Sequence, residues 1–115
     1  MSECKKTREL CKELVGLGAE VVPYVGSRRQ PSGYPDRLIW HKLWYGWIEF
    51  KDTRTKVAKL QRHRMQCLHE RVSGSVFVVR FGNSYDRGTI ENHEGDILGK
   101  WHSAAGLLRT LADLA

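Results

Sequence analysis

The spacing of hydrophobic residues alternates between helical and strand patterns along the chain. Apolar side chains recur every three or four positions at 2–15 and again at 56–72, which predicts two amphipathic helices. Shorter runs, alternating or rich in β-branched residues, predict four strands, at 20–25, 36–41, 46–51 and 75–81. The order helix, three strands, helix, strand predicts a mixed α/β domain.

Residues with special backbone preferences mark the ends of these elements. Ser2 can cap the first helix, and Gly16 and Gly18 can end it. Pro23 interrupts the first strand, which favours an edge position or a bend. Only residues 42–45 separate the second and third strands, so we expect these two strands to form a hairpin.

The C-terminal part of the chain has a weaker pattern. Residues 89–101 fit a short hairpin, and residues 103–114 fit a final amphipathic helix. An apolar stripe on that helix favours packing against the rest of the domain and consists of Leu107, Leu108, Leu111 and Leu114. We expect a single domain over 1–115, with a core at about 3–81 and an extension at 82–115.

Charged residues interrupt the second and third predicted strands in a pattern that suits metal chemistry. Asp36 follows a Gly-Tyr-Pro sequence, and Glu49 and Lys51 flank Phe50 on the third strand. Because side chains alternate along a strand, Glu49 and Lys51 share one face. Two carboxylates can hold a hard divalent cation, and the lysine can lie beside the water that the cation polarises. A surface Glu–Lys pair would contribute only ~0–1 kcal/mol, so stability gives little reason for it.

One glutamine on the second predicted helix fits the same pattern. Gln61 shares a helix face with Val57, Met65 and Leu68. A side-chain amide on a core-facing stripe costs free energy unless it is hydrogen bonded. Gln61 therefore needs a hydrogen-bond partner, and a neighbouring backbone group is one candidate.

These residues together resemble the VRR-Nuc family of the PD-(D/E)XK nuclease superfamily. The resemblance rests on Asp36 with its Gly-Tyr-Pro prefix, the hydrophobic run after it, the Glu49–Lys51 sequence and Gln61, and it covers roughly residues 3–80. The letters Val-Arg-Arg of the family name do not occur in the chain. The resemblance implies an α/β (α+β mixed sheet) fold with a restriction-endonuclease-like αβββαβ core. It also implies a metal-dependent endodeoxyribonuclease, similar to the stand-alone minimal domains of phages.

The resemblance assigns roles to individual residues. The expected catalytic residues are Asp36, Glu49, Lys51 and Gln61, and the resemblance suggests that Gln61 reaches toward the metal site or the nucleophilic water. The expected ligands of Mg²⁺ or Mn²⁺ are Asp36, Glu49 and the backbone carbonyl of Phe50. Such nucleases often carry a further acid on the first helix. Glu3 lies on the predicted buried face of that helix, whereas Glu9 and Glu13 lie on the solvated face, so Glu3 is the expected additional ligand.

The net charge favours a polyanionic partner. Nineteen Lys and Arg against thirteen Asp and Glu give 19 − 13 = +6. Counterion release would supply most of the non-specific affinity of such a domain for nucleic acid. The cations that flank the Asp36 motif or begin the second helix are the expected DNA contacts: Arg28, Arg29, Arg37, Lys56, Lys59, Arg62 and Arg64.

The cysteines and the absence of long apolar runs bear on the cellular compartment. Cys4, Cys11 and Cys67 have no CxxC spacing, which argues against a disulfide framework and a structural zinc site. We expect all three to pack as small hydrophobic residues. No signal peptide and no membrane-length apolar run occur in the sequence. We therefore expect a cytoplasmic protein (in the host cytoplasm if phage-encoded) without a membrane partner.

The family resemblance also suggests the substrate and the oligomeric state. It implies structure-selective cleavage of branched DNA such as four-way (Holliday) junctions or flaps, by a homodimer, because two strands need two sites. Either the final helix or the hairpin that carries Trp40, Trp44 and Trp47 is a candidate interface. These tryptophans form either part of the core or an exposed patch, and because Trp44 and Tyr45 lie at the predicted hairpin tip, we expect an exposed protein or DNA interface there. The alternatives are a sequence- or end-specific nuclease, a nuclease acting on RNA, and a non-catalytic nucleic-acid-binding module.

Overall fold

The computed structural model describes residues 1–23, 37–72 and 75–115. These residues form three helices and six strands: α1 Glu3–Gly16, β1 Glu20–Pro23, β2 Arg37–Trp40, β3 Tyr45–Lys51, α2 Lys59–Val72, β4 Val76–Phe81, β5 Arg87–Glu91, β6 Ile97–His102 and α3 Ala104–Leu114. The order confirms the predicted αβββαβ core followed by a hairpin and a helix. The start of α2 is the largest difference, because the helix begins at Lys59 and not at residue 56.

One mixed sheet joins all six strands in the order β1-β2-β3-β4-β5-β6. Neighbouring strands are antiparallel except for β3 and β4, which are parallel. A parallel pair needs a crossover connection, and α2 provides it. In this pairing Glu49 lies opposite Val78, and Lys51 lies opposite Arg80. The candidate catalytic strand is therefore central in the sheet.

The two faces of the sheet have cores of different size. Helices α1 and α3 cover one face, where the main cluster includes Leu10, Leu14, Ile48, Phe50, Phe77, Val79, Phe81, Leu107, Leu108 and Leu111. Helix α2 covers the other face, where the buried cluster consists of Met65, Val76 and Val78. Because Ile48 and Phe50 point into the main core, strand alternation directs Glu49 and Lys51 to the α2 face.

The segment after residue 81 is built into the same structure. Strands β5 and β6 extend the sheet, and the α3 residues Leu107, Leu108 and Leu111 are buried in the main cluster. The expectation that the final helix packs against the rest of the domain is confirmed. No helix in the described part of the chain is long and apolar enough to span a bilayer.

The expected exposure of Trp44 is wrong. Its side chain is buried in the main core, and its ring centroid lies 6.0 Å from that of Phe77. Gly46 makes this possible, because a Cβ at that position would lie 2.6 Å from Trp44 Cζ2. The exposed apolar residues of the β2–β3 hairpin are instead Trp40, Leu43 and Tyr45.

The expectation for the cysteines holds in part. Cys11 packs against the main core and Cys67 is half-buried, but Cys4 is exposed. Cys4 lies in the first turn of α1, whereas the buried residues of the helix begin at Lys6 and Thr7 and its buried apolar residues begin only at Leu10. The sequence pattern extended the apolar stripe of this helix too far toward the N-terminus.

Candidate active site

Glu49 and Lys51 form an ion pair on the α2 face of β3. The Glu49 side chain is 2% exposed and the Lys51 side chain is 15% exposed. Lys51 Nζ lies 3.5 Å from Glu49 Oε2. A carboxylate this deeply buried is costly to desolvate unless cations or hydrogen-bond donors compensate it. The geometry agrees with the alternation pattern and concentrates opposite charges at the centre of the sheet.

Gln61 joins this pair from the first turn of α2. Its Nε2 donates a hydrogen bond to Glu49 Oε2 at 3.0 Å, and its Oε1 accepts one from the Ala58 amide at 3.3 Å. The bond to a neighbouring backbone group, one of the two alternatives, is present, and the amide also reaches the Glu49 carboxylate. A role of Gln61 toward a metal ion or the attacking water stays a prediction. The Ala58 bond fixes the orientation of the amide, so that its NH₂ group faces the carboxylate.

A cleft of about 300 Å³ opens over these three side chains. It is lined by Glu3, Cys4, Thr7, Arg37, Glu49, Phe50, Lys51 and Gln61. Helix α1 contributes Glu3 and Thr7, which are one turn apart on one helix face. Glu3 thus lines the same cleft as Glu49, and its role as a metal ligand stays a prediction. Thr7 and Cys4 were missed, although the four-residue spacing from Glu3 to Thr7 is a signal that could have identified the threonine.

A buried lysine holds the end of β3 in place. Lys6 Nζ donates to Asp52 Oδ1 at 2.7 Å and to the Gly82 carbonyl at 3.1 Å. The hydrogen bond from Lys6, followed by that from the Thr53 amide, lowers the pKa of Asp52 below its usual value. Because Asp52 directly follows Lys51, this tether restricts the position of the candidate catalytic lysine. Sequence reasoning missed it, since the two residues are far apart in the chain.

Asp36, the first predicted ligand, lies outside the described residues, as do Arg28 and Arg29. The residue after it, Arg37, begins β2, lies opposite Ile48 in the β2–β3 register and lines the cleft. Across residues 1–23, 37–72 and 75–115, no three His, Cys, Asp or Glu side chains gather closely enough to hold a metal ion.

The other predicted DNA contacts have different environments. Lys56 and Lys59 are exposed. Arg64 is half-buried. Arg62 is bound within the protein: its Nη2 lies 3.2 Å from Glu91 Oε1, and its Nη1 donates to the carbonyl of Asn92 at 3.3 Å. Arg62 therefore has a structural partner on β5 whether or not it contacts nucleic acid.

The comparison that matches is structural. No protein-family model matches the chain, and no curated protein sequence is significantly similar to it. The structure of Hjc, a Holliday junction resolvase from the hyperthermophilic archaeon Archaeoglobus fulgidus, superimposes with a TM-score of 0.62. The match covers 95% of this chain and 98% of that one, at 14% sequence identity. The fold is restriction-endonuclease-like. At this identity the likeness establishes the architecture alone.

Proposed function

We propose that the protein is a divalent-metal-dependent DNA endonuclease of the VRR-Nuc type, selective for branched DNA such as four-way junctions or flaps. The observation that carries the proposal is the convergence of Glu49, Lys51 and Gln61 in one cleft of this fold. The likeness to a Holliday junction resolvase supports the choice of branched DNA.

The residues of the cleft suit a hard divalent cation. The Glu49 carboxylate is an oxygen donor at the cleft wall, and the Phe50 backbone lies beside it. We propose that Mg²⁺ or Mn²⁺ is held by Asp36, Glu49 and the backbone carbonyl of Phe50, with Glu3 as a further ligand. When bound, the cation supplies a polarised water and neutralises charge at the phosphate.

The side chains of the chain then have separate tasks. Lys51 orients the attacking water and stabilises the charge that develops on phosphorus, because its ammonium group lies beside Glu49 in the cleft. Gln61 holds the Glu49 carboxylate through its NH₂ group, while its own oxygen is tied to Ala58. Thr7 also lines the cleft, and we propose that its hydroxyl group hydrogen bonds to the substrate.

A cleavage panel tests the proposal. Labelled four-way junction, flap, linear duplex, single-stranded DNA and RNA are incubated with Mg²⁺ or Mn²⁺. We expect branched DNA to be cut, and Asp36→Asn, Glu49→Gln and Lys51→Met each to reduce the rate by about 10²-fold or more. Glu94→Gln is the matched control, because the Glu94 side chain is 67% exposed and is absent from the residues lining the cleft.

Each outcome of the panel has a definite meaning. If linear ends or RNA are cut in preference to branched DNA, the protein is a nuclease but the proposed substrate is wrong. DNA binding without cleavage under either metal would contradict the nuclease proposal and favour a non-catalytic binding module. If Glu49→Gln retains full activity, the active site is not in this cleft.

We propose further that the active form is a homodimer, since paired cuts in two strands need two sites. The exposed apolar residues Trp40, Leu43 and Tyr45 on the β2–β3 hairpin support this proposal. Sedimentation velocity at increasing protein concentration should show a dimer, and Trp40→Ser with Tyr45→Ser should shift it to the monomer. If that double variant still forms the dimer, the dimer interface is not on the β2–β3 hairpin.

A further inference from the structure

A second depression lies between α1 and the β1 edge of the sheet. It has a volume of about 550 Å³. We call it the α1 groove, and its lining residues are Cys4, Arg8, Cys11, Lys12, Val15, Val21, Pro23 and Arg37. The residues from α1 follow one helical stripe, next to the stripe that carries Glu3 and Thr7.

The α1 groove adjoins the candidate active-site cleft. Cys4 and Arg37 line both depressions. A polymer held in the cleft can therefore continue into the groove along the same surface. A long substrate needs such a path, because the strand on either side of the cleaved bond must lie against the protein.

Among the described residues, the charged lining of the groove is entirely positive. Apart from two cysteines, the ionisable side chains of that described lining are Arg8, Lys12 and Arg37, and none of them is a carboxylate. Arg8 and Lys12 are exposed, and their contacts are weak. Arg8 Nη2 lies 4.0 Å from Cys4 Sγ, and Lys12 Nζ lies 3.6 Å from Glu9 on the same helix. Both cations can turn toward an anion at little cost.

The shape and chemistry of the groove select one part of a nucleic acid. Val15, Val21 and Pro23 give it an apolar part of its lining that suits deoxyribose rings. No aromatic ring belongs to its described lining, so bases have nothing to stack on there. Arg8 and Lys12 are one turn apart, about 6 Å along the helix axis. That spacing is close to two axial steps of about 3.4 Å along one DNA strand, so the two cations match phosphates that have one phosphate between them.

We propose that the α1 groove binds the sugar–phosphate backbone of the DNA substrate next to the cleaved bond, with Arg8 and Lys12 each contacting a phosphate. The proposal rests on the proposed function in one respect, because the same DNA must enter the adjoining cleft. Contacts of this kind position the substrate and do not discriminate between base sequences. The groove would therefore add affinity for any arm of the required shape.

Salt-dependent binding without cleavage tests the groove directly. Anisotropy of a labelled four-way junction is measured in EDTA between 50 and 200 mM salt. For the double variant Arg8→Gln/Lys12→Gln we expect the affinity for DNA to fall about tenfold. We also expect the plot of log affinity against log salt concentration to become less steep by about 1.8, which is about 0.9 for each lost phosphate contact. Lys100→Gln with Arg109→Gln is the matched control, since it removes two exposed cations from β6 and α3. Its affinity and slope should equal those of the wild type.

Alkylation of the native cysteines provides a second measurement. It reports where bound DNA lies on the wild-type protein and does not depend on removing charges. Cys11 lines only the α1 groove, Cys4 lines both depressions, and Cys67 on α2 lines neither. We expect bound DNA to slow alkylation of Cys11 and Cys4 and to leave the rate at Cys67 unchanged. Protection of Cys4 alone would place the DNA in the cleft only and overturn the proposal.

The two proposals can fail separately. DNA binding that depends on Arg8 and Lys12, in a protein that cuts nothing, would support the groove and contradict the nuclease. If the double variant cleaves and binds DNA as the wild type does, the nuclease proposal stands and the proposed DNA-binding role of the groove is contradicted. A double variant that binds DNA normally but no longer dimerises would identify the groove as a protein interface, which also overturns the proposal.

Discussion

Glu91 is the residue whose replacement we expect to reveal most about how the α2 face is held together. Its side chain is 8% exposed and lies between two arginines. Arg80 Nε is 2.6 Å from Glu91 Oε2, and Arg62 Nη2 is 3.2 Å from Oε1. Arg80 also donates through Nη1 to the carbonyls of Asp52 and Thr55, at 2.8 and 2.6 Å. Through the arginines, one carboxylate connects β5 to α2 and to the loop that follows Lys51.

The expected cost of removing this charge follows from burial. Glu91→Gln keeps the size of the side chain but leaves two cations facing a neutral amide. Breaking a buried ionic network by removing one partner costs about 3–5 kcal/mol. The arginine side chains are 17% and 28% exposed and can regain some hydration, which favours the lower limit. We therefore expect the free energy of unfolding to fall by about 3 kcal/mol.

Urea unfolding followed by circular dichroism measures this loss. With a slope of about 1.5 kcal/mol per molar, 3 kcal/mol lowers the midpoint by about 2 M. The matched control is Glu94→Gln, three residues further along the chain, where the side chain is 67% exposed. The control should change the free energy of unfolding by less than about 0.5 kcal/mol.

A double-mutant cycle decides whether the arginines are the cause. In the Glu91→Gln background, Arg62→Gln should cost less than it does in the wild type, with a coupling energy of about 1 kcal/mol or more. A Glu91→Gln loss below about 1 kcal/mol, or a coupling energy near zero, would refute the reasoning. It would mean that water replaces the carboxylate without penalty at this site.

Two further predictions concern the loop after β3 and the tight approach of β3 to β4. The Lys6 bond lowers the folded pKa of Asp52, so its stabilisation exists above the unfolded value of 3.8 and disappears as pH falls through the lower folded value. Asp52→Asn should thus cost about 1 kcal/mol at pH 7 and nearly nothing at the acid end of a pH series of urea midpoints. A Cβ at Gly46 would collide with the Ser75 carbonyl, so Gly46→Ala should cost about 1–3 kcal/mol in thermal unfolding. Gly99→Ala, where a Cβ meets nothing within 4 Å, should cost little; equal losses at both glycines would contradict the steric account.

Much of the fold could be predicted because it depends on local periodicity. The strands and helices follow from the alternation between strand and helix spacing, and the observed order agrees with that pattern. The cluster of Glu49, Lys51 and Gln61 could also be predicted, since charged or amide groups on otherwise apolar faces need a reason to be there. Both inferences use residues close together in the sequence.

The parts that could not be predicted depend on pairing between distant segments. Glu91 meets Arg80 only because β4 and β5 pair with Val78 opposite Glu91, and Lys6 meets Asp52 only because α1 crosses the end of β3. Neither register has a local signal in the sequence. Trp44 was misjudged for a related reason, because its burial depends on space that Gly46 leaves beside it.

The buried apolar clusters on the two faces of the sheet differ in size, and this difference indicates what the C-terminal extension contributes to stability. On the α2 face only three described residues form a buried apolar cluster, against sixteen on the opposite face. The polar groups of the candidate site and of the Glu91 network take the place of apolar side chains there, and such groups stabilise a fold weakly. The opposite face must then supply most of the hydrophobic stabilisation. Six of its sixteen residues come from beyond residue 81: Ile90, Trp101, Ala104, Leu107, Leu108 and Leu111. In a domain this small, we infer that the hydrophobic residues of the extension allow the α2 face to carry buried polar and charged groups instead of a larger apolar core.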